Sequence, residues 1–289
     1  MNTPLTVRWT IGDVAPRGFE ALALSVQGAT RAFGDAAEYV VCVNTLEVAE
    51  AQRRTGPVPP RVQWRPVSIE DIPTEIQRAF GRALAEGAAW KLAPPRVSPD
   101  ALELALDNDC ILWDLPETLR HWISDAKAGG TRSIFATDST RAYGSFDAWC
   151  PPPAHPPLNA GLRGVPAALD YEEALAATLS RLPKDARLVS ELDEQGLQVA
   201  AAMFGGMPLA VPAPDLTMCS PFHPHTPRPG RCGAHLVGLN ARHIPWNYYD
   251  RPADEVMAEH WERLRPELRA RVAEGSTTTD ANHIRSVRP

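Results

Sequence analysis

Ala101 to Trp113 reads ALELALDNDCILW, an apolar run broken once, by Asp107-Asn108-Asp109. Leu, Ile and Cys in that pattern predict a buried strand, or a short helical turn running into one. Two carboxylates one residue apart are costly in such surroundings unless a cation or a hydrogen-bond network holds them. At the end of a strand alternate side chains point the same way, so Asp107 and Asp109 could face one ligand. Hard divalent cations take carboxylate oxygens and commonly keep substrate phosphates as further ligands. The triplet therefore reads as a metal–diphosphate site, or as a plain turn, which Asp and Asn favour on their own.

Working outward, the segments before the triplet alternate between two periods. Leu5–Ile11 is a β-rich, alternating strand, and Phe19–Phe33 has helical spacing. Glu38–Asn44 is a second strand, Leu46–Arg54 a helix stopped by Gly56 and three prolines, and 62–67 a third strand. An amphipathic helix follows over 72–84. Strand, helix, strand, helix, strand at this spacing indicates a parallel sheet with helices on its faces. Ligands of such sheets bind outside the carboxyl ends of the strands, where the triplet lies.

The second half is less regular. Helices are predicted over 117–124, 171–181, 193–204 and 255–273, and strands over 132–137 and 209–211. The segment 158–165 begins after a long loop over 138–158, 221–230 is rich in Pro and His, and 235–239 is apolar again. The chain after Glu274 reads as a solvated tail.

The 289 residues are 44% hydrophobic and 22% charged, ordinary for a globular protein with a sizeable core. A net charge of −6 gives no sign of a nucleic-acid or anionic-membrane binder. The first residues lack a signal-peptide pattern, and no apolar run approaches a membrane span. Five cysteines fit free thiols better than a disulfide framework, which points to a cytoplasmic protein.

Several pieces in one order resemble the GT-A-fold nucleotide-sugar glycosyltransferases. The likeness is greatest to the retaining family of glycogenin and the bacterial lipopolysaccharide galactosyl- and glucosyltransferases. Lys91-Leu92-Ala93-Pro94 precedes the apolar strand and its D-x-D. Leu158-Asn159-Ala160-Gly161 is similar to an F-N-[SA]-G segment, and Asp193-Glu194-Gln195-Gly196-Leu197-Gln198 to a D-Q-D-x-L-N helix start. His235-Leu236-Val237-Gly238, with Pro245-Trp246, is similar to H-F-x-G and its Pro-Trp. Gly196 departs from the pattern, standing for an acidic residue, and no Lys precedes Pro245.

The resemblance implies an α/β fold: one GT-A (Rossmann-like) domain over 1–250, mostly parallel and flanked by helices. A C-terminal helix over 251–274 and a flexible tail over 275–289 would follow. It implies a metal-dependent transfer of a sugar, with retention, from a nucleoside-diphosphate sugar to the hydroxyl of an acceptor: a saccharide, a small molecule or a protein. Asp107, Asp109 and His235 would hold Mn2+ or Mg2+, the imidazole favouring Mn2+. Lys91, Asp107, Asn108, Asp13 and Gly238 would lie along the donor, Lys91 on its diphosphate and Asp13 near its base or ribose. Asn159 would bond the donor sugar or acceptor, and Gly161 would let the backbone approach the ligand. Glu194 and Gln195 would flank the sugar, stabilising an oxocarbenium-like centre or forming a brief adduct. The acceptor region would come from the loops over 138–158 and 219–232.

Three rival readings stand beside this one. Cys219, His223, His225, Cys232 and His235 could form a zinc-stabilised interaction module, although C-x3-H-x-H-x6-C-x2-H matches no common zinc spacing. A GT-A-like domain could also bind without catalysis. A sugar nucleotidyltransferase would want a basic, Gly-rich loop after the first strand, and Gly12–Gly18 holds only Arg17.

Overall fold

The first strand alternates strictly, and that alternation divides the molecule into two layers. In the computed structural model, which describes residues 3–81, 89–183, 186, 188 and 190–275, β1 spans Leu5–Ile11. Its Leu5, Val7, Trp9 and Ile11 join one apolar cluster, so Thr6 and Arg8 face the opposite side of the sheet. Next come α1 (Pro16–Phe33), β2 (Ala37–Val43), α2 (Val48–Thr55), β3 (Val62–Pro66) and α3 (Thr74–Phe80). The helix expected over 72–84 is thus shorter, and its last residues lie outside those described. β1, β2 and β3 are parallel, and β4 (Leu102–Asp107) pairs parallel with β1 on its other side.

The run 101–113 is not one strand. β4 ends at Asp107, Asn108 and Asp109 turn, and β5 (Cys110–Leu112) begins in a separate three-stranded sheet. The triplet is therefore the hinge that passes the chain from the main sheet to the small one.

Beyond it lie α4 (Glu117–Lys127), β6 (Ile134–Thr137), β7 (Leu158–Val165), α5 (Tyr171–Leu179), α6 (Glu191–Ala202) and β8 (Leu209–Val211). β7 enters antiparallel between β4 and β6, completing a seven-stranded sheet of order β3-β2-β1-β4-β7-β6-β8. β9 (Leu216–Met218) and β10 (Gly233–His235) complete the small sheet, with β10 between β5 and β9. A hairpin of β11 (Asn247–Tyr248) and β12 (Arg251–Pro252) leads into α7 (Ala253–Glu274). Phe19, Leu22 and Val26 of α1, with Leu119 and Trp122 of α4, pack on the Trp9 face. Residues of α3, α5 and α6 pack on the other. Met257, Trp261, Leu264 and Leu268 of α7 lie against Ala21 and Leu24 of α1, which gives the C-terminal helix a core of its own. The tail expected after Glu274 lies outside the described residues apart from Gly275. No described helix is long and apolar enough to cross a membrane, and all five cysteines are free.

Candidate active site

The register of the two sheets builds the centre. In β10, His235 stands opposite Cys110, the first residue after the triplet, and the Leu236 amide donates to the Asp109 carbonyl at 2.9 Å. Folding the chain back at 108–109 thus sets the imidazole against both carboxylates. His235 Nε2 lies 3.4 Å from Asp107 Oδ2 and 3.4 Å from Asp109 Oδ1. One donor atom from each of the three residues falls within a 4.8 Å group.

A cation fits this donor set. Asp109 Oδ1 is buried with no hydrogen-bond partner among the described residues, a costly state for a carboxylate oxygen unless a positive charge serves it. Two carboxylate oxygens and one imidazole nitrogen suit Mn2+. Gly161 shapes the pocket from the far side. A Cβ there would stand 2.1 Å from His235 Cε1. The absence of a side chain at Gly161 thus makes room for the His235 ring.

Lys91 closes the centre, with Nζ 2.8 Å from Asp107 Oδ2 and 4.0 Å from Glu194 Oε2. Burial works against its charge, but Asp107 and Glu194 more than offset that and raise its pKa. Burial would raise Asp107, yet Lys91 and His235 hold it below the usual carboxylate range. Burial would lower His235, and the two carboxylates instead bring it up to about 9. Glu194 is a different case: burial pushes it up to about 7, with Lys91 only partly opposing.

The structure separates the paired candidates on α6. Gln195 donates to the Ala142 carbonyl at 2.9 Å and accepts from the Ala160 amide at 3.1 Å, so both ends of its side chain tie loops together. Glu194 is the residue that faces Lys91, and its Oε1 accepts from Gln198. Gly196 has no room for a side chain, since a Cβ would meet the Tyr143 carbonyl oxygen at 2.0 Å.

Other expected residues take supporting positions. Asn108 donates to the Gly18 carbonyl and exchanges bonds with Asn240, whose amide also donates to Asp109 Oδ2 at 3.0 Å. It pins the hinge to the start of α1. Asp13, at the exposed end of β1, pairs with Arg54 and Arg242. Gly238 turns the chain after β10 with φ +87, a left-handed conformation that glycine adopts readily. Asn159 accepts from the Gly161 amide and donates to Asp138 Oδ2 at 2.9 Å. Asp138 and Asn240 were not singled out from the sequence, and neither sits in a motif that marks it.

The zinc set does not assemble. Cys219 Sγ lies 3.8 Å from His260 Nε2 instead, and among the described residues only Asp107, Asp109 and His235 form a group able to hold a metal. Arg17, the one cation of the segment Gly12–Gly18 expected as a loop, lies in the first turn of α1 and donates to the Leu239 and Ala241 carbonyls.

No protein-family model and no curated protein matches the sequence. Solved structures do. One similar structure is the galactosyltransferase LgtC in complex with donor and acceptor sugar analogues, at 15% identity and TM-score 0.55, covering 96% of this chain and 98% of that one. An active-site mutant of LgtC matches at 15% identity and TM-score 0.53 over the same shares of the two chains. The sheet order, the hinge at its centre and this likeness agree: the chain has the GT-A fold of these glycosyltransferases.

Proposed function

We propose that the protein is a metal-dependent, retaining glycosyltransferase that moves a hexose from a nucleoside-diphosphate sugar to a hydroxyl acceptor. The observation that carries this reading is the Asp107-Asp109-His235 cluster with its orphaned carboxylate oxygen, set at the carboxyl end of β4 in a GT-A fold. Those three side chains would hold Mn2+, which when bound supplies positive charge to the departing diphosphate. Lys91 adds a second positive charge beside Asp107 and would hold the diphosphate from the sheet side. Were Asp107 to serve the metal, the Lys91 ammonium would be left to Glu194 and the phosphate oxygens.

Glu194 then has the sugar-facing role. As a carboxylate held by Gln198 and facing the same pocket as Lys91, it would stabilise positive charge at the anomeric carbon while the bond to the diphosphate breaks. Asn159 and Asp138 would take sugar hydroxyls. A nucleotidyltransferase is disfavoured because Arg17 is already committed to backbone carbonyls.

The test is thermal stability against nucleoside diphosphates and nucleotide sugars, with and without Mn2+. A ligand that binds only the folded protein raises its melting temperature. We expect one diphosphate to stabilise the protein only with metal, the effect to vanish in Asp109→Ala, and its nucleotide sugar to be slowly hydrolysed. No shift with any nucleotide would sink the donor site. A shift without turnover towards any acceptor or water would leave a binding protein.

A further inference from the structure

The chain after β10 returns to the start of α1 and is held there through three consecutive carbonyls. Arg17 donates to those of Leu239 and Ala241, at 2.8 and 2.5 Å, and the Ala15 amide to that of Asn240, at 3.2 Å. From this clamped turn the Asn240 side chain reaches the hinge. Its Nδ2 donates to Asn108 Oδ1 at 2.9 Å and to Asp109 Oδ2 at 3.0 Å, and its Oδ1 accepts from Asn108 Nδ2 at 2.7 Å. A primary amide has two hydrogens, and both are spent here. The reversed amide would set an oxygen against a carboxylate, so the network itself fixes which end faces Asp109.

The two oxygens of Asp109 are thereby made unequal. Oδ2 has a neutral donor at hydrogen-bond distance, while Oδ1 is buried, unbonded and 3.4 Å from His235 Nε2. Asp109 is 3% exposed, so removing the amide would leave Oδ2 with little water to replace it. Lys91 donates to Asp107 Oδ2 at 2.8 Å, which restrains the second carboxylate as well. The centre therefore offers a cation few free oxygens beside its one imidazole nitrogen. Ca2+ takes about six to eight oxygens and commonly both of one carboxylate. Octahedral ions such as Mn2+ need fewer.

We propose that Asn240 determines which cation the centre takes: by occupying Asp109 Oδ2 it leaves a metal one oxygen of that carboxylate, and so favours Mn2+ over Ca2+. This rests on the metal site of the glycosyltransferase reading and deepens it by naming what sets the choice of ion. Asn240→Leu removes the donor at similar volume. Asn240→Asp keeps an acceptor for the Asn108 amide and sets a carboxylate beside Oδ2. Each metal-free protein is titrated calorimetrically with Mn2+ alone and with Ca2+ alone, and its thermal unfolding is followed without metal. In Asn240→Leu we expect Mn2+ affinity to fall about tenfold, the effect of losing a partner that orients a metal ligand. Ca2+ affinity should hold or rise, so the preference for Mn2+ shrinks by at least that factor. Asn240→Asp should bind Ca2+ more tightly than the wild type does. A residue that merely packs the turn would weaken both ions alike, so an unchanged Mn2+-to-Ca2+ ratio in Asn240→Leu overturns the proposal. If Asn240→Leu unfolds before it can be titrated, Asn240→Asp decides, and a wild-type ratio there overturns it too. So does a wild type that takes Ca2+ as tightly as Mn2+. A wild type that binds neither ion would instead overturn the metal centre, and with it the glycosyltransferase reading.

Discussion

The two faces of the central strands are built from opposite materials. On one face Trp9, Leu104, Leu106 and Leu162 are all buried among Trp122 and the apolar sides of α1 and α4. On the other, Arg8, Glu103 and Arg163 are as deeply buried, each about 1% exposed, within a row that ends at Asp107. Arg8 sits opposite Ala105, which lies opposite Arg163, so a small residue between two guanidinium stems makes the space they need. From there the polar contacts run on: Arg163 to Gln198, Gln198 to Glu194, Glu194 to Lys91, Lys91 to Asp107. Arg8 also donates to the carbonyls of Lys91 and Pro94, at 2.8 and 2.6 Å. The dry face supplies burial. The charged face fixes the segment that presents Lys91, and a buried ion pair is a costly way to gain stability alone.

Neighbouring residues 103 and 104 test that division directly, with the largest effects. Leu104→Ala should cost about 2–5 kcal/mol by cavity formation, and Glu103→Ala about 3–5 kcal/mol by leaving buried guanidinium groups without their carboxylate. Denaturant unfolding would give the two losses. The sharper comparison is the double variant Arg8→Met/Glu103→Leu. If the pair is there for folding, the variant should lose both stability and donor affinity. If it positions Lys91, stability should be near that of the wild type or higher, while the metal-dependent nucleotide shift shrinks. A stable double variant with full nucleotide affinity would break the comparison.

A smaller effect is expected at the point where the small sheet meets the charged face. Gly161→Ala places a methyl group against the His235 ring, at a distance no real pair of carbons adopts. The imidazole must turn, and Mn2+ affinity should fall about 10- to 100-fold, with global stability little changed because the ring has the proposed metal cavity to move into. Titration of Mn2+ by calorimetry reads this. Unchanged affinity would mean that His235 is not a ligand.

Much of this architecture was legible in the sequence because period and polarity agree there. The run LTVRWTI alternates, α1 repeats at helical spacing, and carboxylates in an apolar run at 107 and 109 mark the hinge. The same signal was present at Arg8, Glu103 and Arg163, charges inside strands, though it was not read as a buried network. What the sequence left open was phase and closure. Glu194 and Gln195 are adjacent on a helix, about 100° apart, and only the Ala160 amide and Ala142 carbonyl decide which one is held away from the centre. Asp138 stands in a loop without periodicity, and the bond of its amide to the Pro157 carbonyl and that of its carboxylate to Asn159 set it beside the start of β7. Strands of two or three residues, such as β9 and the β11–β12 hairpin, carry too few side chains to show a period at all. The triplet was expected in a strand end with both carboxylates on one face; a turn achieves the same convergence by pairing 110 with 235.

The pH dependence of stability separates the charged face from the dry one without altering a core residue. His235 stands at about 9 in the folded protein against 6.5 ordinarily. Its contribution is therefore full below about 6.5 and is lost as pH rises through 9. Glu194 stands at about 7 against 4.5. Folding there favours the protonated acid, so stability falls as pH rises from about 4.5 to 7 and then levels. Both groups act in one direction: the metal-free protein should melt several degrees lower at pH 9 than at pH 5. Glu194→Gln should remove the lower part of that decline and leave the part between 6.5 and 9. Mn2+ needs His235 without its proton, so the stabilisation by metal should grow with pH over the range in which the metal-free protein weakens. Opposed slopes in melting curves with and without Mn2+ are the expected signature. Parallel slopes would mean that proton and metal do not compete for His235, and the charged face would then be an ion network without a metal centre at its end.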